Sequence, residues 1–216
     1  MESYLLGAHS SLKVESHKVN TVRDRLSDFI DFFMIYHTGT HLIDPYTLLA
    51  KGGIAEGMHI ADMGCGRTGH VVFPASKMVG DRGVVYAVDV LKDVLESVRK
   101  RAATEAIHNV ETVWADLGQT QGLAIPVGTL DTAFFINVLY HFDSYDTPLA
   151  EAARVLKEKG RIIVADWTKK LSVLGPSSAH MVDFSHIISW ARKNNFGVQE
   201  DVKTGPYHRV VVLFRG

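Results

Sequence analysis

The sequence predicts an α/β fold: a seven-stranded mixed sheet, helices on both faces, and an antiparallel β-hairpin at the C-terminus. Three observations carry this. From Met58 onward, β-branched apolar runs alternate with amphipathic helical patterns, which implies a parallel sheet covered on both faces. A glycine loop, Gly64-Cys65-Gly66-Arg67-Thr68-Gly69, follows the first apolar run and precedes a helical pattern. The last two runs are joined by Gly205-Pro206, too short a connection for parallel strands.

The elements follow in order. Residues 1–20 are mixed and polar and read as an arm or short helix. Val22, Leu26, Phe29, Phe33 and Tyr36 recur at spacings of four and three, which predicts an amphipathic helix over 21–37. Asp44-Pro45 reads as N-cap and first position of a short helix, closed by Gly52-Gly53. Residues 1–52 are thus expected as an arm and helical cap of the same domain, and 53–216 as its core. Met58–Met63 is the first strand, and the helix after the glycine loop runs to about Met78. Val84–Val90 is a buried strand, and Leu91–Ala106 a helix with Leu91, Val94, Leu95 and Val98 on one side. Val110–Ala115 and Leu130–Val138 are strands, 147–157 a helix, Gly160–Trp167 a fifth strand and 181–194 a helix. Five β/α units therefore lead into the hairpin of 197–204 and 207–214.

Composition narrows the function. The 216 residues carry a formal net charge of -1, so no global basic excess exists to neutralise nucleic-acid phosphates. Cys65 is the single cysteine, which rules out an intrachain disulfide and fits a cytoplasmic setting. No apolar run approaches the roughly 20 residues of a membrane span. The eleven histidines are scattered without metal-ligand spacing, so no metal site is expected.

The stretch HIADMGCGRTGH (His59–His70) carries the chemistry. Gly64, Gly66 and Gly69 let backbone approach a nucleotide at a strand's carboxyl end. Asp89, at the end of the next strand, can accept both hydroxyls of a ribose. These two features serve NAD and S-adenosylmethionine equally. Three others separate them. Asp62 puts a carboxylate where a pyrophosphate would meet like charge, but an amino group would not. Asp116 follows the third strand, placed for an adenine amino group. The sheet ends in a hairpin rather than a second nucleotide-binding half.

The sequence resembles the class I S-adenosylmethionine-dependent methyltransferases over about residues 44–216. The resemblance rests on DMGCGRTG (Asp62–Gly69), VVYAVDV (Val84–Val90), VWADL (Val113–Leu117), TLDTAFFINVLYHF (Thr129–Phe142) and EAARVLKEKGRIIVADW (Glu151–Trp167). It is most similar to the small-molecule branch of quinone-biosynthesis C-methyltransferases and arsenite methyltransferases, although a single cysteine disfavours arsenite. One departure stands out: many members read D-x-G-x-G-x-G, whereas here an extra residue precedes Gly69. The resemblance implies a Rossmann-like core, S-adenosylmethionine as cofactor with S-adenosylhomocysteine as product, and a small-molecule acceptor. It places Asp62 near the methionine amino group, and Gly64, Cys65, Gly66 and Gly69 along the methionine part by their backbone. It places Asp89 on the ribose diol, Val90 on the adenine face, Ala115, Asp116 and Leu117 around the adenine, and the Asn137 carbonyl toward the amino group.

The catalytic candidates are fewer. His141, just past the fourth strand, reads as a general base or as a residue that shapes the pocket. Asp166, at the end of the fifth, reads as base or substrate anchor, or as neither. Tyr36, His37 and His41 would close over the cofactor or line the acceptor pocket; the plain alternative is a connecting loop. The acceptor pocket is expected from the segment before Met58 and from the loop after Trp167. Two other functions stay open on the sequence: a non-catalytic S-adenosylmethionine-binding module and an NAD(P)-dependent oxidoreductase.

Overall fold

Asp44 begins the first helix as expected. In the computed structural model, which describes residues 42–171 and 174–216, its carboxylate accepts the Thr47 N–H at 2.8 Å, and Pro45 takes the first helical position. This helix, α1 (Pro45–Lys51), buries Leu48 and Leu49. The arm, the helix over 21–37 and Tyr36, His37 and His41 lie outside the described residues.

The β-branched runs become strands β1 (His59–Met63), β2 (Val84–Asp89), β3 (Val110–Trp114), β4 (Leu130–Ile136), β5 (Leu156–Trp167), β6 (Phe196–Thr204) and β7 (His208–Arg215). Helices α2 (Val72–Val79), α3 (Lys92–Thr104), α4 (Asp146–Val155) and α5 (Phe184–Lys193) connect them. The sheet has seven strands in the order β3-β2-β1-β4-β5-β7-β6. All neighbours among β1 to β5 run parallel, and β7 runs antiparallel between β5 and β6. This is the predicted sheet, hairpin included.

Side-chain alternation sorts the sheet into two faces. Ile60, Val85, Phe134, Ile163 and Val210 pack with α1, α2 and α3. Ala61, Val88, Phe135, Val164 and Val211 pack with α4, α5 and the loop after β3. The chain fills the sheet outward through β1, β2 and β3, then returns to place β4 on the other side of β1. The crevice above β1 and β4 is therefore a topological switch point, where open α/β sheets bind ligands.

Three boundaries differ from the sequence reading. No helix covers the crossover from β3 to β4. Residues 115–129 form turns instead, held to α4 by Glu151, which accepts the N–H of Gln121 at 2.8 Å and of Leu123 at 3.3 Å. Helix α4 stops at Val155 and β5 starts at Leu156, not Gly160, because Leu156 already pairs with Leu130. Helix α5 starts at Phe184, because Asp183 caps it through the Ser185 and His186 N–H groups.

Candidate functional site

The glycine loop is shaped by close approach. Gly64 has φ +81°, and a Cβ there would fall 2.4 Å from Cγ2 of Val138, beyond the end of β4. Any side chain would push the β1 and β4 ends apart. The Gly64 and Cys65 N–H groups both donate to the Val88 carbonyl, at 2.8 and 2.9 Å, which ties the loop to β2. At Gly66 the position a Cβ would take is open space, so nothing packs on the backbone there.

Two carboxylates stand at the strand ends beside this loop. Asp62 and Asp89 follow the parity of Ile60 and Ala87, so both lie on the α1–α3 face. Asp62 is 3% exposed and Asp89 8%. One Asp89 oxygen accepts the Gly66 N–H at 3.2 Å, the other the Leu91 N–H at 3.0 Å. Each oxygen keeps a second lone pair for a ligand hydroxyl. Asp62 is different. Among the described residues no cation or hydrogen-bond donor meets its carboxylate. Burial raises its pKa to about 7, and the negative charge of Asp89 adds to the rise. A ligand ammonium would reverse both effects.

Beyond β2 the surface turns apolar. Val90 and Leu91 are half exposed, and Trp114 stands beside them with its indole N–H on the Val90 carbonyl at 2.8 Å. Exposed apolar side chains clustered at a strand end mark a binding surface. The sequence reading placed Leu91 with the buried side of α3; instead it precedes the helix and faces outward. Its place directly after Asp89-Val90 was the available signal. Ala115 and Leu117 are buried behind this surface. Asp116 accepts the Gly118 N–H through Oδ1 at 2.9 Å. Asn137 is buried at the end of β4 with φ +52°, its N–H on the Ala165 carbonyl at 2.9 Å.

His141 closes a one-turn 3-10 helix, Leu139–His141, just past β4. Its ring lies on Tyr140 with centroids 4.0 Å apart. Partial burial lowers its pKa below the usual 6.5, against the pull of Asp89, so the imidazole is neutral at pH 7. It lines a cleft of about 380 Å³ with Tyr140, Asp143, Ser177 and His180, a feature invisible in the sequence because its walls come from separate loops. Asp166 faces the other side of the sheet, fully buried. Its oxygens accept the Leu139 N–H at 3.1 Å and the Trp167 N–H at 2.8 Å, so it braces the turn that carries His141. Burial nevertheless raises its pKa to about 7.

Cys65 is buried, and desolvation, then Asp62 and Asp89, push its thiol well above the usual range. It therefore contributes backbone and not a thiolate. The extra loop residues turn outward. The Arg67 guanidinium pairs with Asp93 and donates to the Ser97 hydroxyl at 2.9 Å, and the Thr68 carbonyl accepts from Arg101 at 2.8 Å. Both fasten the loop to α3. Among the described residues no cluster of metal-ligating side chains occurs, and no helix is long and apolar enough to cross a membrane.

The chain is similar to known proteins. Residues 54–205 match the family described as methyltransferase domain. The chain is 28% identical over 156 residues to the ubiquinone/menaquinone biosynthesis C-methyltransferase UbiE of Francisella tularensis subsp. holarctica, covering 72% of this chain and 58% of that protein. It is 35% identical over 143 residues to nocamycin O-methyltransferase of Saccharothrix syringae, covering 65% of this chain and 48% of that protein. The chain thus spans about half the length of these curated relatives. The crystal structure of a SAM-dependent methyltransferase from Aquifex aeolicus superposes with a TM-score of 0.71 at 25% identity, covering 83% of this chain and 93% of that one. With the family match spanning most of its length, this chain belongs to the methyltransferase-domain family.

Proposed function

We propose that the chain binds S-adenosylmethionine at the β1–β4 switch point and transfers its methyl group to a small-molecule acceptor. The observation that carries this is Asp62, a buried carboxylate without a cationic partner among the described residues, next to a loop that keeps open space at Gly66. That site suits a ligand amino group and repels a pyrophosphate, which disfavours a dinucleotide cofactor.

When bound, the cofactor supplies an electrophilic methyl group on a positively charged sulfur. The chain's residues hold and orient it. Asp62 and the Asn137 carbonyl face the amino group, and the backbone of Gly64, Cys65, Gly66 and Gly69 passes the methionine part. Asp89 accepts the ribose hydroxyls. Val90 packs on the adenine, with Ala115, Asp116 and Leu117 around it. The cofactor would supply both the methyl group and its own leaving group, S-adenosylhomocysteine, so the chain's residues have only to align the acceptor with it and exclude water. Alignment of the reacting atoms contributes on the order of 7–11 kcal/mol. An acceptor that must lose a proton passes it to the neutral His141 imidazole, and Asp166 positions the turn beneath. Tyr36, His37 and His41 are proposed to cover the acceptor. The single cysteine supports a cytoplasmic setting.

Titration calorimetry with S-adenosylhomocysteine tests the site. Asp89→Ala is expected to weaken binding by roughly 100-fold, through two lost charge-assisted hydrogen bonds; unchanged affinity would sink the assignment. In turnover assays on metabolite extracts with labelled cofactor, His141→Ala should lower methyl transfer far more than cofactor affinity. Equal loss of both would make His141 structural.

A further inference from the structure

The cofactor face of the sheet carries a second polar feature, two strands beyond β1. Along β5, Ile163 and Ala165 lie on the α1–α3 face, and the pleat puts Trp167 there as well. Along β7, Val210 and Val212 share that face, and His208 follows by the same alternation. The antiparallel register sets Trp167 directly opposite His208. Their rings meet with centroids 4.3 Å apart. Trp167 is fully buried and His208 is 1% exposed. The loop after β5 lies flat on the indole at Gly175, where a Cβ would come within 2.8 Å of the ring.

Among the described residues, Trp167 Nε1 and His208 Nε2 make no hydrogen bond. Buried indole and imidazole nitrogens nearly always find partners, and leaving one unmet is costly. Here two unmet nitrogens sit on touching rings. One hydroxyl has the chemistry both require: an oxygen that accepts from the indole N–H and a hydrogen to donate to the imidazole nitrogen. An ammonium has no lone pair for the indole.

The surroundings restrict what carries that hydroxyl. Ile136, Ala165 and Val210, the neighbours on this face, are buried and apolar. Asp62 on β1 and Trp167 on β5 share the face with β4 between them; Asp62 registers with Ile163 through Phe134, so Trp167 lies two strands across and four residues further along, about 16 Å away at roughly 4.8 Å per strand and 3.3 Å per residue. A one- or two-ring molecule together with the methionine part of the cofactor spans that distance. We infer that Trp167 and His208 form the anchoring subsite of the methyl acceptor, binding one hydroxyl of an apolar phenol- or enol-class molecule whose body reaches toward the cofactor. The inference rests on the methyl-transfer reading above. Burial holds the His208 pKa at about 4, so at neutral pH the ring anchors the hydroxyl and does not carry a charge.

Calorimetry on the full chain with 2-naphthol, 2-methoxynaphthalene and naphthalene as probes, with and without S-adenosylhomocysteine, tests this. 2-Naphthol should bind about tenfold tighter than either analogue, from two added hydrogen bonds. Trp167→Phe and His208→Phe should each erase that preference and leave S-adenosylhomocysteine affinity unchanged. Equal binding of the three probes, or a preference that survives both substitutions, overturns the subsite. Should either variant fail to fold, the native protein decides: 2-naphthol must shift the indole ¹⁵N–¹H resonance of Trp167 downfield, and an unmoved resonance at saturating probe overturns it equally. Failure of S-adenosylhomocysteine to bind the native protein removes the methyl-transfer reading, whereas the hydroxyl preference is read in its absence, so the two failures are distinct.

Discussion

Glu151 and Asp62 are both buried carboxylates, on opposite faces of one sheet, and the fold treats them oppositely. Burial pushes Glu151 upward, but the Arg154 guanidinium and the Gln121 and Leu123 N–H groups overcome it and hold the carboxyl below its usual range. Asp62 receives no such partner among the described residues and rises to about 7. A carboxylate that fastens a loop arrives with its partners built in. The carboxylate proposed to meet a ligand is left to bear desolvation without a donor among the described residues, next to a second anion. The contrast separates structure from site more sharply than burial does, since the two are 5% and 3% exposed.

The largest effect on folding is expected at the satisfied carboxylate. Glu151→Ala strands Arg154 and two loop N–H groups, and should lower stability by about 3 kcal/mol, the modest end for a broken buried pair because Arg154 is partly exposed. Urea unfolding measures this. Affinity for S-adenosylhomocysteine should stay within about twofold, because Glu151 works on the opposite face. A loss below 1 kcal/mol, or a matching loss of affinity, would erase the distinction drawn between the two carboxylates.

Asp62→Asn should do the reverse. It removes a desolvated acid, so the free protein gains stability at pH 8, by about 2 kcal/mol, while S-adenosylhomocysteine binding weakens roughly tenfold. The pH dependence follows from the direction of the shift. The folded pKa lies above the unfolded value of 3.8, so the contribution of Asp62 is full below about pH 4 and is lost as pH rises to about 7. Asp166 acts in the same window and with the same sign. His208 has the opposite sign: its pKa falls from 6.5 to about 4, so its contribution is full above 6.5 and lost toward 4. Thermal melts from pH 5 to 9 should therefore show a decline between pH 5 and about 7, levelling above it, that Asp62→Asn makes shallower. An identical slope in the variant would show that Asp62 is not the raised group. Bound S-adenosylhomocysteine should flatten the same decline, since its ammonium favours the ionised carboxylate.

Much of this was legible in the sequence wherever the information is local. Runs such as VVYAVDV and LDTAFFINV specify buried strands by composition, and Asp44-Pro45 specifies a helix start by its own geometry. The proposed cofactor residues Asp62, Gly64, Asp89 and Asn137 stand where the sequence reading put them, at or just past the ends of successive strands. What failed to show depended on partners distant in sequence. Lys157 to Lys159 look like helix continuation, yet Leu130 draws Leu156 into the sheet and ends α4 early. The crossover after β3 needs no helix because Glu151 supplies its hydrogen bonds from α4. Trp167 and His208 meet only through the antiparallel register of β5 and β7. Asp166 is visible as a strand-end acid, but the pleat of β5 turns it to the face of Ile162 and Val164, away from Asp62 and Asp89.

The smallest effect is expected in the glycine loop itself, at its extra residue. Arg67 reaches outward to Asp93 and Ser97 on α3, and all three are solvent-exposed or nearly so. Exposed pairs of this kind contribute roughly 0–1 kcal/mol. Desolvation and Arg67 act oppositely on Asp93, and the arginine prevails, so the pair is real but screened. Arg67→Ala should therefore leave stability within about 1 kcal/mol and S-adenosylhomocysteine affinity within about threefold, the remainder reflecting a looser loop. Raising salt should weaken the native protein's binding no more than the variant's. A loss of tenfold or more would mean that Arg67 turns inward to the cofactor, and the wider loop would then belong to the site and not to its support.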